Sequence, residues 1–123
     1  MGATEMSVDD LAIVLEQGQV VVVDVREHDQ FVRAHIPGSW PADLAGLAER
    51  LRDSEDPLWQ RLFAPAPAGV GGAPTPVCVV VDDDERRDAA TALLTEVGLN
   101  PSVVRGGVRA WSAAGRPLNR GYR

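Results

Sequence analysis

The chain has 123 residues, a length that fits one ordinary domain with a single hydrophobic core. Hydrophobic residues make up 45% and charged residues 24%, and no apolar run approaches the roughly 18 residues of a membrane helix, so we expect a globular domain outside the membrane. The net charge of -6 argues against nucleic-acid or anionic-membrane binding, since both require a basic surface.

The amino-terminal segment predicts a helix and no targeting sequence. It has no basic region followed by an apolar stretch, so nothing resembles a secretory signal, and we expect a cytoplasmic protein. Ser7 precedes apolar residues at Leu11, Val14 and Leu15, a spacing typical of a helix that is capped by Ser7 and ends at Gly18.

Three apolar runs predict the strands of a parallel sheet. Val20 to Val23 is apolar at every position and ends in Asp24. Residues 77–81, VCVVV, form a second such run, and Ser102 to Val104 form a shorter third one. Consecutive apolar residues indicate strands that are buried on both faces, as in a parallel sheet covered by helices.

Helices are predicted between and after these strands. Residues 43–52 carry leucines and alanine at helical spacing, and residues 86–97 carry an apolar stripe that ends at Gly98. A short helix over residues 108–113 closes the chain. The alternation of strands and helices predicts an α/β fold.

Residues 64–76, APAPAGVGGAPTP, predict a flexible connection, because proline lacks an amide donor and glycine weakens helices and strands alike. The connection is too short and too central in the strand pattern to separate two domains. We therefore expect one domain over residues 1–123.

Three segments together resemble the rhodanese-like family. They are residues 22–39, VVDVREHDQFVRAHIPGS, the strand and helix over residues 77–98, and residues 105–118, RGGVRAWSAAGRPL. The resemblance implies a single domain with a central, mostly parallel five-stranded sheet flanked by helices on both faces. The residues that match the family's motifs are Asp24, Arg26, Glu27, His35, Gly106, Gly107 and Trp111.

Asp24 and Arg26 follow a buried strand, where they are expected to cap the turn and to pair with His35 or with nearby amides. A functional interpretation places the same pair beside the family's catalytic loop. We expect His35 to brace the turn rather than to transfer protons, because no nucleophile lies next to it in the sequence. Trp40 and Trp111 are expected in the core or in a pocket wall.

An active rhodanese has a cysteine at the end of a strand and an arginine five residues later, where a helix follows. The thiolate takes up sulfur as a persulfide, and loop amides stabilise its charge. The pattern of the following helix places the family arginine at Arg86 and the cysteine at Val81. A register shifted by one uses Arg87 and places the cysteine at Asp82. Neither residue carries sulfur, so no catalytic residue is expected.

The segment equivalent to the family's active-site loop runs from Val81 to Arg86. Its interior consists of four acidic residues, Asp82, Asp83, Asp84 and Glu85. These carboxylates are expected to repel anionic thiosulfate and to stabilise the start of the following helix. Alternatively, Asp24 with Asp82, Asp83 and Asp84 could bind a divalent cation through oxygen ligands.

Three functions follow from these features. The first is a catalytically inactive rhodanese-like domain, a pseudoenzyme without cofactor, that acts as a binding or regulatory module for a protein partner or a small ligand. The second is a thiosulfate sulfurtransferase or persulfide carrier that uses Cys78, the sole cysteine, although three residues along a strand span about 10 Å and reverse the face. The third is divalent-cation binding by the acidic loop over residues 82–85.

Overall fold

The computed structural model describes residues 4–63 and 76–121. A five-stranded sheet has the order β1-β5-β4-β2-β3, and every neighbouring pair of strands is parallel. The strands are β1 (Thr4–Met6), β2 (Val21–Asp24), β3 (Trp40–Pro41), β4 (Val77–Val80) and β5 (Pro101–Val104). The helices are α1 (Val8–Glu16), α2 (His28–Arg33), α3 (Leu44–Arg50), α4 (Pro57–Leu62), α5 (Asp84–Glu96) and α6 (Gly107–Ala113).

Helices cover both faces of the sheet, which confirms the predicted α/β fold. On the α3–α5 face, alternate residues of the strands, such as Val23 and Val79, pack against Leu47, Leu62 and Leu94. The α1–α6 face packs the remaining strand residues, including Val22 and Cys78, against Leu11 and Trp111. Because both faces are covered, β2 and β4 are buried at every position.

The predicted elements are present, with shifted boundaries. The helix expected over residues 86–97 begins earlier, at Asp84, because the Asp83 side chain caps it. The strand expected over residues 77–81 ends at Val80. Most of the predicted flexible connection, residues 64–75, lies outside the described residues.

Strands β1 and β3 and helix α4 were not predicted, whereas α2 lies within residues 22–39, one of the segments that resemble the family. Strands β1 and β3 form the edges of the sheet with three and two residues, and neither contains the β-branched run that marks the central strands. Helix α4 did carry a local sequence pattern. Asp56 caps it and Pro57 occupies its first turn, a frequent arrangement at helix starts, while Leu58 and Leu62 lie one turn apart and are buried.

No helix in the described ranges is both long enough and apolar enough to cross a membrane.

Candidate functional site

The candidate site lies where β2, β4 and β5 end side by side. Asp24 is paired with Val80 in the sheet register, and the Val25 amide donates to the Val80 carbonyl at 3.0 Å. The segment after β4 therefore lies between the turns that follow its two neighbouring strands. In open α/β sheets, ligands characteristically bind at this carboxyl edge.

A cleft of about 970 Å³ opens beside that segment. Its walls come from Val81 to Asp84, from the end of β5 and from the start of α6, and they combine apolar and charged side chains. The apolar contributors are Val81, Val103, Val104, Val108, Ala113 and Leu118.

The position that would need a cysteine is occupied by Val81 or, in the shifted register, by Asp82. Val81 is 9% exposed and belongs to the α3–α5 core, whereas Asp82 is exposed. The Asp82 carboxylate accepts a hydrogen bond of 2.7 Å from the Gln30 side-chain amide, which links the segment to α2. Neither residue can form a persulfide.

Cys78 lies inside the sheet, away from this cleft. It is paired with Val22 on one neighbouring strand and with Ser102 on the other, and it has no exposed surface. Burial raises the pKa of its thiol to about 12, against the smaller lowering effect of a hydrogen bond from the Val79 backbone. Cys78 belongs to the α1–α6 core and Val81 to the opposite one, as strand alternation requires.

The predicted active-site loop is shorter than expected. Only three residues separate β4 from α5, so Asp84, Glu85 and Arg86 lie in the first turn of the helix. The Asp83 carboxylate accepts a hydrogen bond of 2.7 Å from the Arg86 amide and thereby occupies one of the amides that an anion would require. The segment is therefore a capped helix start rather than an open anion cradle.

Arg86 is turned toward the β2 side of the site. Its guanidinium donates to the Val25 carbonyl at 3.1 Å and lies 3.4 Å from the Glu27 carboxylate. It does not line the cleft, whereas Arg87 does and pairs with Asp84 at 3.1 Å. Arg86, the equivalent of the family's arginine, thus links the first turn of α5 to the turn that follows β2.

Asp24 and Arg26 form a buried pair with each other. The Asp24 carboxylate accepts hydrogen bonds from the amide and from the guanidinium of Arg26, the shortest at 2.7 Å. Of the two partners expected for this pair, the structure shows a nearby amide, that of Arg26, and not His35. The His35 Nδ1 instead lies 2.9 Å from the carbonyl oxygen of Phe31, four residues earlier in the chain, and the two rings are stacked.

Comparison with known proteins identifies the fold family. The family model described as a rhodanese-like domain matches residues 7–114. The chain belongs to the rhodanese-like family. No curated protein matches the sequence with significance.

Solved structures similar to this rhodanese-like domain share its fold. A thiosulfate sulfurtransferase from Pseudomonas aeruginosa is 20% identical with a TM-score of 0.69; the match covers 97% of this chain but only 20% of that one. The Alr3790 protein from Anabaena sp. is 24% identical over 94% of this chain and 81% of its own, with a TM-score of 0.70. A rhodanese-related protein from Thermoplasma volcanium is 22% identical over 94% and 97%, with a TM-score of 0.66.

The two glycines of the rhodanese-like closing motif lie at the start of α6, and both have positive φ angles, 77° and 59°. A methyl group on Gly107 would lie 2.9 Å from the Val81 carbonyl oxygen. Gly107 therefore allows α6 to approach the end of β4 closely. Trp111, one turn later, is 4% exposed and donates to the Pro117 carbonyl at 2.8 Å, which makes it a core residue.

The acidic residues of the rhodanese-like domain are less isolated than the sequence suggested. Asp83 lies 3.6 Å from the Arg86 guanidinium, and Asp84 pairs with Arg87. Arg109 adds a further positive charge to the cleft wall. The carboxylates therefore oppose an anionic ligand less strongly than four unpaired charges would.

The cation-binding residues suggested by the sequence do not form a ligand set in the described structure. Asp24 is engaged by Arg26, and Asp83 caps α5. Among residues 4–63 and 76–121, no group of three or more His, Cys, Asp or Glu side chains is placed to hold a metal ion.

Proposed function

We propose that this chain is a rhodanese-like binding or regulatory module that does not transfer sulfur. The observation that carries the proposal is the residue pair Val81 and Asp82, which directly follows β4 at the position where sulfur transfer requires a thiolate. Its ligand is a protein segment or a small molecule that occupies the cleft beside Val81.

The inaccessibility of Cys78 supports the absence of transfer. Its thiol has no exposed surface, and a pKa of about 12 keeps it protonated at neutral pH. Nucleophilic attack on a sulfur donor requires an accessible thiolate. For Cys78 to act, the helices that cover the α1–α6 face would have to move away from the sheet.

The cleft supports a binding role. Its volume of about 970 Å³ lies within the usual range of ligand sites, roughly 300–1,000 Å³. Its wall offers apolar contacts from Val108 and Leu118 together with Arg109 and Asp82, which can orient polar groups. A site of this kind suits a peptide or a small molecule with both apolar and polar parts.

A sulfur-transfer assay tests the catalytic part of the proposal. The protein and its Cys78→Ala variant are incubated with thiosulfate or mercaptopyruvate and with cyanide, and thiocyanate is measured. The Pseudomonas aeruginosa thiosulfate sulfurtransferase serves as the active control. Both forms of the chain should remain at the level of the protein-free blank. Thiocyanate production by the wild type above the Cys78→Ala variant, with a persulfide on Cys78 in the mass spectrum, would contradict the proposal.

Peptide selection tests the binding part. Peptides selected against the wild type from a displayed library are measured against Arg109→Glu, which reverses a charge in the cleft wall, and Arg33→Glu, which lies outside it. Binding should weaken by about tenfold or more for the first variant and change little for the second, since a charged hydrogen bond contributes roughly 1.5–3 kcal/mol. Equal affinities for both variants would place the ligand elsewhere.

A further inference from the structure

A second cleft, of about 230 Å³, lies between α2, β3 and the start of α3. Three basic side chains line it, those of Arg26, His28 and Arg50, together with one carboxylate, that of Asp43. The first cleft and the second share Arg26. The function proposed above does not involve the second cleft.

The buried Arg26 guanidinium supplies a fixed donor. The residue is 9% exposed, and its Nε and Nη2 atoms donate to the Asp24 carboxylate while Nη2 also donates to the Ala34 carbonyl. Within the described residues, Nη1 makes no hydrogen bond, although the rest of the group is held in place. A buried guanidinium with an unused edge is suited to receive an acceptor from outside the protein.

The carboxylates near this cleft are already engaged. Asp43 accepts from the Gly46 amide at 2.9 Å and caps α3. Asp56 caps α4 and lies 3.9 Å from the Arg50 guanidinium, the outer limit of an ion pair. Among residues 4–63 and 76–121, Arg50 has no closer partner than this carboxylate, so most of its five donor hydrogens are left for another acceptor.

We propose that the second cleft binds a small tetrahedral oxyanion, with Arg26 and Arg50 as its hydrogen-bond donors. The space suits a group of phosphate or sulfate size, and planar guanidinium groups match the oxygen geometry of such anions. Asp24 offsets the charge of Arg26, so Arg50 supplies the larger share of the attraction. Free phosphate and the phosphoryl group of a phosphorylated residue both present such oxygens, so the site suits either of them.

A titration followed by amide NMR tests this site. Inorganic phosphate is added to the labelled protein, with sodium chloride adjusted to hold the ionic strength constant, because exposed charges are screened by salt. We expect saturable shifts at the amides of Asp43 to Gly46, which adjoin the second cleft. Shifts confined to Gly106 to Arg109, which line the first cleft, would overturn the proposal, as would the absence of saturation at tens of millimolar phosphate.

Matched variants distinguish phosphate binding in the second cleft from a general effect of the protein's positive charges. Arg50→Gln should weaken phosphate binding about 10- to 100-fold, and Arg50→Lys, which keeps the charge, should bind at an intermediate level. Arg52→Gln removes a charge from an exposed arginine two residues away that does not line the cleft, and it should bind as the wild type does. Equal weakening by Arg50→Gln and Arg52→Gln would overturn the proposal.

A parallel titration with O-phosphoserine distinguishes the two sources of the anion. Tighter binding than inorganic phosphate supports recognition of a phosphorylated residue, and weaker binding supports the free anion. Thermal unfolding of each variant is measured alongside, so that a loss of binding is credited to the site only when the variant is folded.

Discussion

At the scale of single residues, Gly107 is a position where the site depends on the absence of a side chain. Its φ angle of 59° is one that residues with a Cβ rarely adopt. The Val81 carbonyl oxygen occupies the space that a Cβ would need, and a backbone atom cannot rotate away as a long side chain would. The start of α6 therefore tolerates glycine alone at this point.

We expect Gly107→Ala to lower the free energy of unfolding by about 2 to 4 kcal/mol, because left-handed strain adds to the contact with Val81. Gly115→Ala is the matched control, since Gly115 has a φ angle of 78° but open space around it. The Gly115→Ala control should lower the free energy of unfolding by about 1 to 2 kcal/mol, through backbone strain alone. Urea denaturation measures both, and equal losses would show that the contact with Val81 contributes nothing.

The buried Cys78 thiol is expected to lower the free energy of unfolding at alkaline pH. Burial raises the pKa of this thiol from 9.0 to about 12 in the folded protein, whereas the unfolded chain ionises near the ordinary value. Its contribution to stability is complete below about pH 9 and is lost as the pH rises toward about 12. Within that window, each increase of one pH unit raises the equilibrium constant of unfolding by up to roughly tenfold.

Comparison with Cys78→Ala isolates this effect. Both proteins are unfolded with urea at several pH values between 8 and 11, and all other titrating groups are common to the two. The wild type should lose more stability than the variant as the pH rises above about 9. Parallel curves would mean that the folded thiol ionises as readily as the unfolded one.

At the scale of elements, the start of α5 replaces an anion cradle with the protein's own carboxylates. Asp83 caps the helix, while Asp84 and Glu85 lie in its first turn, where each acidic group contributes about 0.3 to 1 kcal/mol through the helix dipole. Arg86 then connects this turn to the Val25 carbonyl of the turn after β2. The element is thus stabilised without an external anion.

We expect Asp83→Ala to lower the free energy of unfolding by about 0.5 to 2 kcal/mol, because it removes the cap of α5. Asp88→Ala on the same helix is the control, since Asp88 is exposed and, among the residues that the structure describes, its carboxylate pairs only with Arg87. The control should cost less than about 0.5 kcal/mol. Thermal and urea unfolding compare the two, and a loss for Asp88→Ala as large as for Asp83→Ala would contradict the capping role.

At the scale of the whole molecule, the sheet joins two cores. Strands β2, β4 and β5 contribute residues to both the α3–α5 face and the α1–α6 face. Loss of packing on one face therefore weakens strands on which the other depends. We propose that the described residues unfold as one domain, as expected from the length of the chain.

Leucine truncations on the two faces test this cooperativity. Leu11→Ala on the α1–α6 face and Leu62→Ala on the α3–α5 face should each cost about 2 to 5 kcal/mol, since both side chains are fully buried. Ile13→Ala, at a side chain that is 56% exposed, should cost much less. For each variant, far-UV circular dichroism and tryptophan fluorescence should show a single coincident transition. Separate transitions would show that the faces unfold independently.

The central elements could be predicted from the sequence because their causes are local. The valine runs of β2 and β4 and the capped apolar stripe of α1 encode burial within a few residues. The edge strands could not be predicted, since Thr4–Met6 and Trp40–Pro41 become strands only because a partner strand supplies the hydrogen bonds. Helix α4 does carry a local pattern, since Asp56 and Pro57 are residues typical of a helix start.

The rhodanese-like fold and the absence of sulfur at Val81 and Asp82 follow from the sequence, because residue identity and order are sufficient for both. The contacts of the remaining site residues become known from the tertiary structure. Arg86 turns to Val25, His35 lies against Phe31, and Asp83 closes the start of α5. The directions of these side chains depend on elements that are distant in the chain or on the local course of the backbone, and residue spacing alone does not encode them.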